Sequence, residues 1–287
     1  MESLRNLILK NLISLIKLRV LCLYVVLIPT IMVLHGQKVY TERSLPELVT
    51  DRPDQTESSI VVLPGIIQVE TGILYTEEDE ASPHSRKLAL PGTLFRIGLF
   101  DRVELRLGFD GFIAEDGTDE EDGIGDSEVG VKVFFTEEKG LRPEMAFLAS
   151  LSLPTGENAF SSERKDPSFR FLFSHSLTER LALGTNLGMA WGTKANESGV
   201  GLNTLSAFQY TISLGMGLTD KVGSYLEFFG DMPMSDKGNP AHSFNGGVTY
   251  LLKDQLQFDV SSGFGLSQSA EDWFVGTGVS FAFPFLK

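Results

Sequence analysis

Ten charged residues stand at alternate positions within segments that otherwise carry apolar and small side chains. Successive side chains of a β-strand point to opposite faces, so residues of one parity share a surface. A surface that carries both signs of charge can select a solute, or its charges can pair across strands and fill the space between them. Both interpretations remain open from the sequence. The ten candidates for this surface are Glu70, Arg96, Glu104, Arg106, Asp110, Glu128, Lys132, Arg170, Glu227 and Asp259.

A hydrolase would need a nucleophile and a base within hydrogen-bond reach of each other. His175 lies in the segment FRFLFSHSL and has the parity of its three phenylalanines, so it is predicted to lie on the apolar face of that strand. Ser174 and Ser176 have the opposite parity, which prevents a Ser–His pair within this strand. His84 and His242 fall at loop edges. We therefore predict no catalytic residue and no enzymatic activity, and a lipid hydrolase is the most distant alternative.

Two acidic stretches could be interpreted as metal sites. In EDGTDEEDGIGD (Glu115–Asp126), the calcium-loop template requires glycine at its sixth position, but counted from Asp116 that position is a glutamate. The other stretch contains Asp51, Asp54 and Glu57, with no His or Cys nearby. Both stretches are therefore predicted to be solvated, and neither a metal ion nor a cofactor is expected.

The composition excludes several classes of protein. The only cysteine, Cys22, rules out an intrachain disulfide and a thiolate metal site. A net charge of −14 argues against a nucleic-acid partner, because lysine and arginine must neutralise phosphate. With 29 glycines and 21 phenylalanines, the chain does not have the composition of a helical enzyme of this size.

The N-terminus has the pattern of an export signal. Basic residues from Arg5 to Arg19 precede an apolar run from Val20 to Leu34, and Gly36 follows. An uncleaved anchor is the alternative, but the run is shorter than the roughly twenty residues of a spanning helix. We predict a signal peptide over 1–36 and a periplasmic N-terminal segment over 37–64, irregular because it is rich in proline and charge. The remaining residues, 65–287, are predicted to form one domain.

The element that must position the charged residues is a strand array, of which Leu94–Phe112 is the clearest part. In this predicted hairpin Phe95 and Ile97 alternate with Arg96, and the return strand alternates in the same way. In a soluble sheet the apolar face would need a second layer. In an outer-membrane barrel it faces lipid, and the charged face lines the lumen.

Period-two alternation predicts about twelve strands after residue 65, most of them near the nine to eleven residues that a tilted strand needs to cross a bilayer. One strand is predicted over Val103–Ile113, followed by a loop over Ala114–Ile124. Short turns such as Thr178–Arg180 alternate with long polar loops such as Pro154–Asp166. This alternation is the plan of an all-β, antiparallel, up-and-down transmembrane β-barrel with both termini in the periplasm.

Seven segments together resemble a bacterial outer-membrane transporter-like family, named "putative MetA-pathway of phenol degradation". The resemblance covers Leu48 to Phe285 and implies a barrel that conducts small solutes, aromatic or hydrophobic ones among them. It supplies no catalytic residue. The segments are TDRPDQTES, PGIIQVETGILY, LFRIGLFDRVELRLG, GIGDSEVGVKVFF, RPEMAFLASLSLPTGE, LGTNLGMAWG and YLEFFGDMP.

From these observations we expect a channel or transporter in the outer membrane of a Gram-negative bacterium. The alternative is a structural or surface-interaction barrel with a plugged lumen, which the acidic loops favour. Expected partners are outer-membrane lipid and lipopolysaccharide, a small-molecule solute, and the barrel-assembly machinery. The last of these would recognise the C-terminal strand, where Val279, Phe281, Phe283 and Phe285 share one face.

Overall fold

The structure is a computed structural model of the whole chain. It describes residues 45–78, 84–117, 120–195, 202–234 and 238–285. The predicted signal peptide, 1–36, lies outside the described residues. Residues from Pro46 onward form one compact unit.

This unit contains fourteen strands and one short 3₁₀ helix. Their order along the chain is β1 (Ile66–Glu78), β2 (Ser85–Phe100), β3 (Val103–Phe109), β4 (Phe112–Asp116), β5 (Glu120–Ile124), β6 (Ser127–Thr136), β7 (Glu144–Leu153), the 3₁₀ helix (Asn158–Phe160), β8 (Asp166–Ser176), β9 (Leu181–Ala195), β10 (Leu202–Gly217), β11 (Val222–Pro233), β12 (Ala241–Lys253), β13 (Leu256–Gly265) and β14 (Trp273–Pro284).

Twelve of these strands form a closed antiparallel barrel, as predicted. Each of β6 to β14 pairs with its neighbours in the chain, β6 pairs with β3, and β3 pairs with β2. The barrel closes because β1 pairs with β14 on one side and with β2 on the other. Closure leaves every barrel strand with two partners, so its backbone hydrogen bonds are satisfied without water, which a membrane requires.

The barrel reverses the burial pattern of a soluble protein. Along β13, the inward residues Gln257, Asp259 and Ser261 are buried, whereas the outward Phe258 and Val260 are exposed. Among the largest fully buried side chains of the described residues are Arg96, Lys132, Glu70, Glu104 and Glu227. A wall that is apolar outside and charged inside is stable in a bilayer and not in water, so the fold itself indicates the outer membrane.

The predicted strand Val103–Ile113 is interrupted, and the predicted loop Ala114–Ile124 is wrong in part. The ladder between β2 and β3 ends at Phe109, and β4 then pairs with the first half of β2. Gly111 lies at the break with φ +78°, a conformation that glycine adopts at low cost. Most of the acidic stretch therefore forms the β4–β5 hairpin, which extends the barrel wall on the long-loop side.

Loop lengths alternate as the sequence predicts. The connections β2–β3, β8–β9, β10–β11 and β12–β13 are short. The end of the barrel at which they lie is called the short-turn end. The other end, called the long-loop end, carries the β4–β5 hairpin and the 3₁₀ helix. No helix in the described part of the chain is long and apolar enough to cross a membrane.

Candidate functional site

The segment Pro46–Pro64, called the lumen segment, runs inside the barrel. It enters at the short-turn end, where the Gln255 side chain donates to the carbonyl of Pro46 at 2.7 Å. It returns to the same end, where the carbonyl of Leu63 lies against Gly98. The solvated interpretation of Asp51, Asp54 and Glu57 is therefore wrong: Asp51 is buried and the other two are half-buried, because the barrel wall replaces water around them.

Hydrogen bonds from this segment reach strands on all sides of the barrel. Because the barrel is closed, a segment bonded to strands around its circumference must lie within it. Nine of the twelve barrel strands take part: β1, β2, β3, β6, β8, β9, β10, β11 and β13.

Asp51 is the centre of the contact. One of its carboxylate oxygens lies 3.1 Å from Arg96, 2.5 Å from Arg106 and 2.8 Å from Lys132. The other accepts hydrogen bonds from the backbone and the hydroxyl of Ser58. Burial raises the pKa of Asp51, but the charges of Arg96, Lys132 and Arg106 outweigh that effect and hold it well below its usual value. Asp51 is therefore ionised and compensates three buried cations at once.

The wall supplies its own acids to the same cluster. Arg96 donates to Glu104 at 3.0 Å and to Glu70 at 3.1 Å, which is the pairing that strand parity predicts. Arg96 also donates to the carbonyl of Ile60, and Glu104 accepts from the backbone of Val62 at 2.7 Å. The wall and the lumen segment thus share one hydrogen-bonded network.

Glu57 connects this network to β9. Both of its carboxylate oxygens accept from Arg106, at 2.8 and 2.7 Å. The side-chain amide of Asn186 on β9 accepts from the backbone of Glu57 at 2.7 Å and donates to its carbonyl at 3.0 Å. A buried amide that satisfies both backbone groups of one residue fixes the position of the chain there.

On the opposite wall, the contacts are made by two acids of the wall and one acid of the segment. Glu227 accepts from the backbone of Gln55 at 2.9 Å and from the hydroxyl of Thr56 at 2.5 Å. Asp54 accepts from Ser213 at 3.1 Å. Burial raises the pKa of Asp54 well above its usual value, and the charge of Glu227 raises it further. Asp259 pairs with Arg52 at 3.0 Å.

Seven of the ten predicted lumen residues are therefore hydrogen-bonded to the lumen segment, and the other three line recesses beside it. Asp110 and Glu128 line a cavity of 440 Å³ on the long-loop side, beside β2, β3 and β6. Arg170 lines a smaller recess on the opposite wall, between β8 and β11. The seven are Glu70, Arg96, Glu104, Arg106, Lys132, Glu227 and Asp259.

Sequence reasoning missed the lumen segment and the neutral residues that bind it. Parity marks Asn186, Thr211 and Ser213 as inward positions, so it could have found them, but only charged residues were selected. On β2, β3 and β6 the predicted cations Arg96, Arg106 and Lys132 are matched by the predicted acids Glu104, Asp110 and Glu128, so the charges gave no signal that an acid of another segment joins them. No group of three or more His, Cys, Asp or Glu residues in the described ranges is placed to hold a metal ion.

Glycine makes room for the segment where it leaves the barrel. A Cβ atom on Gly98 would lie 1.9 Å from the carbonyl oxygen of Leu63, whereas one on Gly92, of the same parity on β2, would meet nothing within 4 Å. We expect Gly98→Ala to displace the segment and to lower the temperature at which the barrel loses its folded migration on a gel. Gly92→Ala is the matched control, and equal temperatures for the two variants would contradict this packing.

Comparisons with known proteins were made for the sequence and for the fold. A model of the family described as "Putative MetA-pathway of phenol degradation" matches residues 50–283. This match begins inside the lumen segment, so the family pattern includes most of it. A search of curated protein sequences gave no match.

Among the solved structures that match, one has a similar fold and a second aligns less well. An outer membrane channel from Pseudomonas putida F1 aligns over 81% of this chain and 100% of its own, with 13% identity and a TM-score of 0.62. The KdgM porin aligns over 75% of this chain and 99% of its own, with 10% identity and a TM-score of 0.47. At such identities the likeness to the first structure concerns the fold alone.

Proposed function

The chain belongs to the MetA-pathway phenol-degradation family, and on that premise we propose that it is an outer-membrane channel for small aromatic or hydrophobic solutes. One observation carries this proposal: the lumen is filled by a separate segment and not by the side chains of the wall alone. Both ends of the segment lie at the short-turn end. It can therefore withdraw through that mouth without threading through the barrel.

A barrel of twelve strands is wide enough to need such a filling. Eight-stranded barrels close their interior with wall side chains, and barrels of sixteen or more leave a water-filled channel. Here the long-loop half keeps open recesses on opposite walls, while the segment occupies the short-turn half. Passage of a solute then requires the segment to move, which makes it a gate.

The second candidate is a structural barrel whose lumen is permanently closed. The density of hydrogen bonds around Asp51 favours it, because a buried network of this kind is costly to disrupt. Enzymatic activity is not proposed. Ser174 bonds to Ser59 in the lumen, whereas His175 lies 3.2 Å from Glu138, so this serine and this histidine do not form a pair.

Uptake measurements in cells distinguish the two candidates. Cells that lack the chain, and the same cells with the chain restored, are given labelled aromatic solutes at low concentration, with a sugar as the control solute. We expect restoration to speed the uptake of aromatic solutes and to leave sugar uptake unchanged. Equal uptake of every solute, together with no conductance in planar bilayers, would favour the structural barrel.

Contacts with lipopolysaccharide and with the assembly machinery belong to the same proposal. At the long-loop end Tyr75 and Trp273 lie with ring centroids 5.2 Å apart on the outer face, as in an aromatic girdle. The last strand carries Phe281 and Phe283, whose rings stack at 6.1 Å. These features support a lipid-facing rim and a C-terminal recognition strand.

A further inference from the structure

One of the three wall cations has its carboxylate partners within the wall itself. Nε and Nη2 of Arg96 hold the two oxygens of Glu104 at 3.0 and 3.1 Å. Its Nη1 donates to Glu70 at 3.1 Å. A carboxylate held by two parallel donors of one guanidinium is a strong and directional pair. Arg96 therefore keeps its acids when the lumen segment leaves.

The other two cations rely on the segment. Nη2 of Arg106 donates to both oxygens of Glu57, at 2.8 and 2.7 Å. Nζ of Lys132 donates to Asp51 at 2.8 Å. The wall acid nearest to both cations is Glu104, which lies 3.1 Å from Nη1 of Arg106 and 3.8 Å from Nζ of Lys132. Withdrawal of the segment would thus leave Nη2 and Nζ as buried donors that have lost their acids.

Arg106 also has a donor that the segment does not use. Its Nε is buried and makes no hydrogen bond to any residue that the structure describes. In Arg96 the same two nitrogens, Nε and Nη2, hold one carboxylate side by side. Glu57 reaches only Nη2, and its backbone is fixed by the two hydrogen bonds of Asn186. A free carboxylate can take both nitrogens of Arg106, a better fit than the segment supplies.

One carboxylate can contact Arg106 and Lys132 at the same time, as the segment itself shows. Oε2 of Glu57 lies 2.7 Å from Nη2 of Arg106 and 3.6 Å from Nζ of Lys132. One oxygen of Asp51 lies 2.5 Å from Nη1 of Arg106 and 2.8 Å from the same Nζ. The two acids of the segment therefore mark where the carboxylate of a solute would lie.

The charge of the wall limits this solute to one negative charge. At the level of the segment, the released wall holds three buried cations against two buried acids, which leaves one cation in excess. A single carboxylate makes the group neutral. A phosphate dianion exceeds the balance, and a neutral amide leaves the buried cation uncompensated, which is costly. The five wall residues are Arg96, Arg106, Lys132, Glu70 and Glu104.

We propose that Arg106 and Lys132 form a binding site for a small organic monocarboxylate, which Asp51 and Glu57 occupy as internal competitors while the barrel is closed. A solute that takes the site displaces the segment, so its binding opens the gate. Mass action drives this shift, because the solute binds only the released state. The proposal rests on the proposed function, since it names the charge of the solute and the event that moves the segment.

An anion that comes from the long-loop end first passes the cavity of 440 Å³, where Asp110 and Glu128 lie together with Arg52. Charges at the mouth of a site change the rate of association more than the strength of binding within it. These acids therefore slow the entry of a carboxylate and leave its deeper site intact. The test accordingly measures binding at equilibrium.

Binding is tested on the detergent-solubilised, folded barrel by titration calorimetry in chloride buffer of constant ionic strength. The probes are benzoate, its neutral isostere benzamide, and inorganic phosphate. We expect benzoate to bind more tightly than the other two. Asp51→Asn should tighten benzoate binding by about tenfold or more, because a weaker internal competitor raises the fraction of barrels that can bind. A residue with a merely structural role would weaken binding when it is changed.

Two further variants fix the position of the site, and folded migration on a gel is checked for each. Glu47→Gln removes an exposed acid of the same segment, four residues before Asp51, and should leave benzoate affinity unchanged. Asp51→Asn/Arg106→Met removes a cation together with one of its acids, which limits the loss of stability, and should cancel the gain. Equal affinities for benzoate and benzamide, or a benzoate affinity that does not rise in Asp51→Asn, would overturn the proposal.

The opening step is tested with the wild-type barrel in planar bilayers, where benzoate should raise the open fraction and benzamide should not. This test separates the site from the channel. Tight benzoate binding in a barrel that shows no conductance and no uptake of any solute would sink the channel and leave the site. Uptake of aromatic solutes by a barrel that does not bind benzoate would sink the site and leave the channel.

Discussion

Replacing Asp51 by asparagine is expected to release the lumen segment and to raise the conductance of the barrel several-fold. Asp51 is the one acid of the lumen segment that contacts Arg96, Arg106 and Lys132 together. Without its charge, the acids left near Lys132 are Glu57 at 3.6 Å and Glu104 at 3.8 Å, beside the carbonyl of Ser58. Loss of one partner of a buried ion pair costs about 3 kcal/mol, or roughly a hundredfold in the ratio of docked to released segment.

The matched control is Asp54→Asn, three residues further along the same segment. The Asp54 carboxylate accepts from the Ser213 hydroxyl at 3.1 Å, and the amide oxygen of asparagine can accept the same hydrogen bond. We expect wild-type conductance for Asp54→Asn. Single-channel recordings in planar bilayers measure both variants. If Asp51→Asn conducts no better than Asp54→Asn, the ion-pair network does not hold the gate shut.

A disulfide between the lumen segment and the wall is expected to abolish solute uptake, and its reduction is expected to restore it. The hydroxyl oxygens of Thr56 and Thr211 lie 2.6 Å apart, so cysteines at these two positions bring their sulfur atoms within bonding range. The native Cys22 lies in the predicted signal peptide and would not interfere. Uptake of a labelled aromatic solute is measured on the same cells before and after the reductant.

A second disulfide, at another position, tests whether the result depends on the site of the first cross-link. The hydroxyl oxygen of Ser59 in the lumen segment lies 2.9 Å from that of Ser174 on β8, two strands from Thr211 on β10. The double variant Ser59→Cys/Ser174→Cys should respond to the reductant in the same way, and each single cysteine variant should not respond at all. If uptake persists in both double-cysteine variants while their disulfides are oxidised, solutes pass without movement of the segment.

Much of the barrel could be predicted because strand parity is a local property. Arg96, Glu104 and Glu70 alternate with apolar neighbours, which places them on one face of adjacent strands, and there Arg96 pairs with both acids. The break of the third predicted strand at Gly111 could not be predicted in the same way. It depends on Pro91, whose carbonyl lies where a Cβ of residue 111 would be, and that contact forms only when β2 and β4 pair.

The lumen segment could not be predicted from its own residues. Its prolines and acids are typical of a solvated linker, and it has no period to show a buried face. Its partners are distant in sequence: Arg52 and Asp259 are 207 residues apart, and Asp51 and Arg106 are 55 apart. The wall carries acids of its own beside its cations, so the sequence does not show that Asp51 of the segment makes the central contact.

Withdrawal of the lumen segment would leave a pore with an electric field across it. Arg96, Arg106 and Lys132 would remain on β2, β3 and β6, with Glu70 and Glu104 beside them, while Glu227 and Asp259 would face them from β11 and β13. At the level of the segment, the first wall would carry three cations against two acids, and the second wall would carry two acids. A field between two walls of opposite charge orients a dipole that passes between them. The charges that hold the segment in the closed barrel would therefore align the solute in the open barrel.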